Sequence, residues 1–424
     1  MTDRATRRET LAILGAASVA GLAAPRLNAQ AGPRVVVVGG GFGGASCARY
    51  LRKLAPEVAA TLVDPAPAIV TCPFSNTVIA GLNEIETITH GFDGLRAAGV
   101  EVVQDAASAI DLDAREVRLA GGARLGYDRL VVSPGIDFKP NAVEGYDGPA
   151  IEVMPHAWKG GEQTLLLRRQ IESMPDGGTV VMTVPANPIR CPPGPYERAS
   201  LIAWHLKARK PRSKLLVVDA KDNFSKQGLF NEAWAALYSD LIEWVPFAQA
   251  GNLLRVDPAT MTVETEFERF RGSVVNVIPP QRAAGIAVEA GLTGGEDWCE
   301  VNQATFESVE AAGVHVLGDS AIAGAMPKSG FSAGSQGKFC AAAIAAMLKG
   351  DPAPEPSLIN TCYSLVAPNY AISVAAVYRL EEGKIVGVEG AGGVSPSDAS
   401  AEFREAEADY ARGWYASITS EIYG

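Results

Sequence analysis

Arg34–Gly44 constrains this chain more than any other stretch. It reads Arg-Val-Val-Val-Val-Gly-Gly-Gly-Phe-Gly-Gly. A run of valines suits a strand buried on both faces, as in a parallel sheet. Gly39, Gly41 and Gly44 follow in G-x-G-x-x-G spacing, with Phe42 inside the motif, and a helix pattern continues through Ala45–Leu54. Each glycine has a task. Gly39 permits the tight turn, Gly41 lets backbone approach a pyrophosphate, and Gly44 lets helix and strand pack closely. The pyrophosphate sits on the free N–H groups and positive dipole end of the helix. Asp64 closes the next strand, Ala59–Val63, where an acid that meets a ribose is expected. The stretch therefore predicts a dinucleotide site at the start of an α/β fold.

At 424 residues the chain is too long for one ordinary core, so two or three domains are expected. A formal charge of −11 argues against nucleic acid and against anionic membrane surfaces as partners. The histidines, His90, His156, His205 and His315, have no metal-ligand spacing, so no metal is expected. The N-terminus has the order of an export signal: basic Arg4, Arg7 and Arg8, apolar Leu11–Ala24, then Ala29-Gln30-Ala31 as a small-residue cleavage site. Arg7-Arg8 followed by Leu11 reads as a twin-arginine signal, although the usual Phe and Lys after the pair are missing. Residues 1–31 are thus expected to direct export to the periplasm. No later apolar run approaches a membrane span, so stable membrane insertion is not expected. Disulfides are permitted in that compartment.

The remaining chain divides by pattern. Residues 32–150 read as the first part of a nucleotide-binding domain. Its Tyr127–Val132 strand ends in Ser133-Pro134-Gly135, which resembles the second motif of FAD-binding proteins of the pyridine-nucleotide-disulfide-reductase type. Residues 151–270 read as a second α/β unit, with strands at Gly178–Val184 and Leu215–Asp219 and a helix at Tyr196–Lys207. Relatives of that architecture bind a nicotinamide cofactor there. Here the turn is Pro185–Pro195, rich in proline where glycines are needed. Proline lacks the N–H and fixes φ, so no nicotinamide cofactor is expected, and Asp219 becomes a strand-end remnant. Residues 271–350 return to the first domain, where Gly318-Asp319 resembles the third FAD motif. Lys328–Gly337 then leads into an Ala-rich helix, Lys338–Leu348, whose start would face the flavin, with Lys328 supporting its reduced charge. Residues 351–424 form a C-terminal unit: a hairpin, Tyr370–Tyr378 with Ile385–Glu389, and a helix from Ser395-Pro396-Ser397-Asp398 to about Ile422. Phe403, Ala406, Tyr410, Trp414 and Ile418 share one face of it and are expected to pack inward. The fold class expected is α/β: two Rossmann-like nucleotide-binding domains of the disulfide-reductase type plus a small C-terminal α+β domain.

Cys47 lies in the first helix, but position 52 is Arg, which excludes the redox pair of glutathione-reductase-like enzymes. Cys191 precedes a helix and adjoins Arg190, which predicts a lowered thiol pKa. Cys362 lies far away in Asn360-Thr-Cys-Tyr-Ser364. An ordinary stabilising disulfide and a redox pair both remain open on these features.

Taken together, the glycine motif, Thr71-Cys72-Pro-Phe-Ser-Asn76, Arg190-Cys-Pro-Pro-Gly-Pro-Tyr-Glu-Arg198, Gly318-Asp319, Met326-Pro-Lys-Ser-Gly-Phe-Ser-Ala333 and Asn360–Ser364 resemble the flavoprotein subunit of flavocytochrome c sulfide dehydrogenase. The resemblance runs over essentially the whole chain after residue 31. It implies FAD thioether-linked through Cys72, a Cys191–Cys362 redox disulfide, sulfide as substrate, sulfur or polysulfide as product, and a c-type cytochrome subunit as partner. No C-x-x-C-H occurs, so that haem is expected on another polypeptide. Cys191 is the expected persulfide carrier. Two other readings stand beside this one: a sulfide:quinone reductase, and a non-catalytic flavin electron-transfer subunit. Cys47, Cys299 and Cys340 are expected to be structural, an odd number that leaves at least one unpaired.

Overall fold

The computed structural model describes residues 32–424; the expected signal, residues 1–31, lies outside them. In chain order, β1 (Arg34–Val38) turns into α1 (Phe42–Leu54), and β2 (Ala59–Asp64), β3 (Glu101–Gln104) and β4 (Arg129–Val132) follow. Next come β5 (Thr179–Val184), α2 (Gly194–Arg209), β6 (Lys214–Asp219), α3 (Gln227–Leu237), β7 (Ile242–Val245) and β8 (Val274–Val277). The chain then returns through β9 (Val314–Val316) to α4 (Gly330–Lys349). It ends with β10 (Ser357–Ala367), β11 (Tyr370–Glu381), β12 (Lys384–Val394) and α5 (Ala401–Tyr423).

One sheet has the parallel order β9-β4-β1-β2-β3, extended beyond β9 by short strands from 299–322. A second has the parallel order β7-β6-β5-β8. Parallel strands covered by helices on both faces must be apolar throughout, and every valine of β1 is buried. Strands β10, β11 and β12 form an antiparallel meander. This is the expected α/β class.

Two glycine contacts set the core. A Cβ on Gly44 would strike the Gly39 carbonyl, and one on Gly337 would strike the Gly43 carbonyl. Their absence lets α1 close onto its own turn and lets α4 cross α1 backbone to backbone. Beyond that crossing, Cys47 and Cys340 are both fully buried with their thiols in hydrogen-bonding contact.

Several boundaries differ from expectation. Helix α4 begins at Gly330, well before Lys338, because the Ser329 hydroxyl accepts the Ser332 N–H at 3.0 Å and caps it. Gly334 and Gly337, ahead of the expected start, are interior helix residues that permit close packing. Strand β10, which carries Cys362, adds a third strand to the expected hairpin and pairs with β11 along most of its length. Helix α5 starts after Ser400, whose hydroxyl accepts the Phe403 N–H at 3.3 Å. Its inward face is also rotated. Ile418 is buried and Trp414 half-buried as expected, but Phe403 and Tyr410 are exposed, whereas Arg404, Glu407, Ala411, Tyr415 and Ile422 are buried. The cause is a buried ion pair, Arg404–Glu407 at 3.3 Å, which an apolar pattern cannot signal.

Candidate active site

A trough of about 230 Å3 crosses the end of the first sheet. Gly39, Gly41, Phe42, Asp64, Cys72, Gly318 and Asp319 all line it, so the fold brings these residues from four separate segments together. Gly39 has φ +101°, a left-handed turn that leads straight off β1. Nothing lies within 4 Å of the position a Gly41 Cβ would take, so the backbone there is open to an incoming group. Helix α1 has neither an acidic residue in its first turn nor a side-chain cap, leaving its N–H groups for an anion. Asp64 accepts the Gly40 N–H at 2.7 Å and the Ala66 N–H at 2.9 Å, which fixes its carboxylate at the trough wall.

The trough suits FAD on its own polar atoms. The Asp319 carboxyl is buried, which pushes its pKa up, and its Oδ1 has no protein partner. Arg190 Nε is likewise buried without a partner. Such orphaned atoms are costly unless a ligand satisfies them. Asp319 would meet the sugar-like chain of the flavin, Asp64 the ribose, and the α1 turn the pyrophosphate. FAD supplies a two-electron acceptor when bound.

Lys328 is placed differently from expectation. It lines a separate outer cavity of about 500 Å3 rather than the trough. Its ammonium donates to the Asp319 and Ala321 carbonyls at 2.8 and 2.9 Å and lies 3.7 Å from the Trp298 ring centroid. Burial lowers its pKa to about 8. The cation that does line the trough is Arg190.

Asp219 is fully buried and accepts from Tyr196 at 2.6 Å, Lys221 at 2.6 Å and Trp244 at 3.1 Å. Its carboxylate is spent inside the fold, as a strand-end remnant would be. The Pro185–Pro195 turn instead delivers Cys191.

Cys191 sits at φ +52°, just before α2. Its N–H donates to the Lys328 carbonyl at 2.7 Å, and its own carbonyl accepts the Gly194 N–H at 2.7 Å. These bonds hold the thiol against Cys362 from β10, and the two thiols hydrogen-bond. Both are free thiols here. They share a pocket of about 50 Å3 with Glu197, Phe331, Tyr363 and Trp414, and Pro73 and Gly330 form the wall between it and the trough.

The electrostatics reverse the expectation for Cys191. Its pKa is raised, chiefly because its proton is held by the neighbouring Cys362 sulfur. Cys362 is pushed down to about 6 by that hydrogen bond, aided by Lys226. Prolines at 192, 193 and 195 remove N–H donors from the start of α2. The nearby cations are also engaged. Arg190 donates to the Trp158 carbonyl, and Arg198 to Asn76, His156, Ala157 and Asn276. Glu197 and Lys226 also belong to the site, although no sequence motif marks them. A lone Glu in a helix and a lone Lys in a loop give no signal until β10 is placed beside them.

Helix α5 closes the far side. Tyr415 hydroxyl lies 2.6 Å from Thr71 Oγ1 and 2.9 Å from His90 Nε2, and Tyr423 donates to the Gly40 carbonyl at 3.2 Å.

Comparison with known proteins matches three family models: pyridine nucleotide-disulphide oxidoreductase over residues 33–166, the central region of the sulfide dehydrogenase (flavocytochrome c) flavoprotein chain over 164–279, and the flavocytochrome c sulphide dehydrogenase flavin-binding region over 354–423. A sulfide dehydrogenase (flavocytochrome c) flavoprotein chain from Chlorobaculum thiosulfatiphilum is 73% identical over 45 residues, which is 11% of this chain and 94% of that sequence. The chain belongs to this family. It is an oxidoreductase and a flavoprotein. A sulfide-quinone reductase from Aquifex aeolicus is 29% identical over 184 residues, covering 43% of this chain and 41% of that protein. In three dimensions, the sulfide:quinone oxidoreductase of Aquifex aeolicus aligns with a TM-score of 0.73 at 17% identity, covering 92% of each chain. Putidaredoxin reductase in its complex with putidaredoxin aligns with a TM-score of 0.64 at 17% identity, covering 89% of this chain and 93% of that one. These likenesses carry the disulfide-reductase type of fold.

Proposed function

We propose that this flavoprotein oxidises sulfide to sulfur or polysulfide through a Cys191–Cys362 redox disulfide and FAD. The electrons go to a c-type cytochrome subunit in the periplasm. The observation that carries this reading is one pocket holding two adjacent thiols and a buried carboxyl against the trough. Family membership supports sulfide as the substrate and a cytochrome as the partner.

The chain's own residues divide the work as follows. With the disulfide closed, hydrogen sulfide enters the pocket and gives a proton to Glu197. The resulting hydrosulfide attacks one sulfur; the S–S bond breaks, and its electron pair leaves on the other sulfur as thiolate. The products are a cysteine persulfide, a thiolate and a protonated Glu197. Glu197 suits this task because burial raises its pKa to about 8, with the Cys362 charge adding to the rise. The carboxyl therefore binds a proton more tightly as the thiolate forms. A second hydrosulfide or a thiol then removes the outer sulfur. Cys72, at the trough wall, would hold the FAD by a thioether and prevent its loss outside the cell.

A quinone acceptor is the second reading, favoured by the likeness to sulfide-quinone reductase. Among the described residues no helix is long and apolar enough to cross a membrane. The exposed Phe403 and Tyr410 of α5 are interspersed with Glu402, Glu405 and Asp409. That is poor chemistry for an anionic lipid surface. Anaerobic sulfide should bleach the bound flavin, and catalytic turnover should reduce a soluble c-type cytochrome but not a short-chain quinone. Turnover with quinone alone would select the second reading. No bleaching by sulfide would leave only a non-catalytic electron-transfer role.

The tether is tested separately. On a denaturing gel under acid illumination, flavin fluorescence should migrate with the wild-type chain. Cys72→Ala should release all of it while retaining noncovalent FAD in the folded state. Fluorescence retained by the variant would place the link elsewhere.

A further inference from the structure

Lys226 is buried at the N-terminus of α3, in a left-handed conformation with φ +61°. Its Nζ lies 3.2 Å from the Cys362 carbonyl, 2.8 Å from Ser364 Oγ and 3.3 Å from the Ile372 carbonyl. Three acceptors match the three N–H donors of an ammonium and aim the group at the backbone of Cys362; burial lowers its pKa, and the neighbouring anionic groups, Cys362 first, oppose that.

The other ionisable groups around it are accounted for. On α2, Glu197 is protonated once the Cys362 thiolate has formed, its pKa then raised to about 8, and Arg198 donates only to neutral groups. On α5, Glu407 pairs with Arg404 at 3.3 Å and accepts from Ser373 and Ser395 at 2.7 and 2.5 Å. Glu232 on α3 pairs with Arg404 at 3.1 Å. Cys72 and Arg190 lie across Cys191, at the trough. Of the charges that bear on the ammonium, that of the Cys362 sulfur acts most strongly, ahead of Glu197, Cys191 and Glu407.

We infer that Lys226 is a positioning residue that gives the disulfide a polarity: hydrosulfide attacks Cys191, and Cys362 leaves as the thiolate. This rests on the sulfide reading of the site. In the step, HS− forms a new S–S bond to Cys191 Sγ, the Cys191–Cys362 bond breaks, and its electron pair moves to Cys362 Sγ beside the ammonium. The persulfide is then Cys191–S–SH. The lower-pKa thiol is the better leaving group, and burial keeps the neighbouring positive charge unscreened by solvent. Cys191 remains the persulfide carrier expected from sequence, but for the opposite reason. Its partner is the acidic thiol.

The test uses the reduced, FAD-loaded protein. Iodoacetamide should modify Cys362 before Cys191 in the wild type, with a pH midpoint near 6. In Lys226→Met the Cys362 rate at pH 7 should fall about tenfold for each unit its pKa rises above that pH, and Lys226→Arg should restore most of it. If Lys226→Met does not fold, Ser364→Ala removes the closest acceptor and should shift the midpoint in the same direction by less. After one equivalent of sulfide, trapping and peptide mapping should find the extra sulfur on Cys191 in the wild type and on both cysteines in Lys226→Met. An unchanged Cys362 profile in every variant, or a wild-type persulfide on Cys362, overturns the inference. Failure of sulfide to bleach the flavin would instead overturn the sulfide reading, while the alkylation profiles would still decide what Lys226 does to Cys362.

Discussion

Cys191→Ser should abolish reduction of the flavin by sulfide while leaving FAD bound. Deleting a nucleophile or leaving group that acts as part of a unit commonly costs several orders of magnitude, so a loss of about 10³-fold or more is expected. The FAD should stay because Gly39, Gly41, Asp64 and Asp319 line a trough from which Cys191 is separated by Pro73 and Gly330. Dithionite should still bleach the variant, and its flavin content should equal that of the wild type. A serine hydroxyl can still donate to Cys362, so the fold around the pocket has no reason to change. Near-normal sulfide reduction would remove the disulfide from the mechanism, whatever the family.

Glu197→Gln should slow sulfide-dependent flavin reduction by about 10²-fold, the lower end of what a positioned acid or base contributes. The sign of the pH effect follows from the raised carboxyl pKa. Glu197 must be ionised to take the proton of hydrogen sulfide, so the wild-type rate should rise with pH as the carboxyl loses its proton. With the disulfide closed, Cys362 carries no charge, and the carboxyl titrates below the value of about 8 that includes the thiolate. The wild type should therefore show two ionisations in stopped-flow bleaching: that of hydrogen sulfide and that of Glu197. Glu197→Gln should retain only the first. Equal pH profiles would reduce Glu197 to a packing residue.

The distinction between these two residues marks what each level of description contributes. Cys191 stood out because its neighbours are chemically unusual: prolines where a cofactor turn needs glycines, and an Arg beside the thiol. Glu197 is six residues further on, in the first turn of α2, and from its chain neighbours reads as any exposed helical acid. Only the packing of β10 over the start of α2 buries it. The same holds for Lys226, whose neighbours in the chain say nothing of Cys362, Ser364 or Ile372. The interior of α5 misled for a related reason. A stripe of apolar residues predicts the buried face only while buried positions are apolar, and Arg404 with Glu407 breaks that rule.

Local rules were sufficient where the backbone itself makes the site. A valine run, glycines at set spacing and an acid at a strand end specify the strand, turn and helix that cradle a dinucleotide, because each is a steric or donor requirement of neighbouring residues. Proline in the corresponding second turn removes donors locally and could be read just as directly. Long-range charge could not. Whether Cys191 or Cys362 carries the lower pKa depends first on the hydrogen bond between the two thiols, then on an ammonium at the start of α3 and a carboxyl from α2. Those groups meet through tertiary contacts between distant segments, in a pocket too small to let solvent screen them.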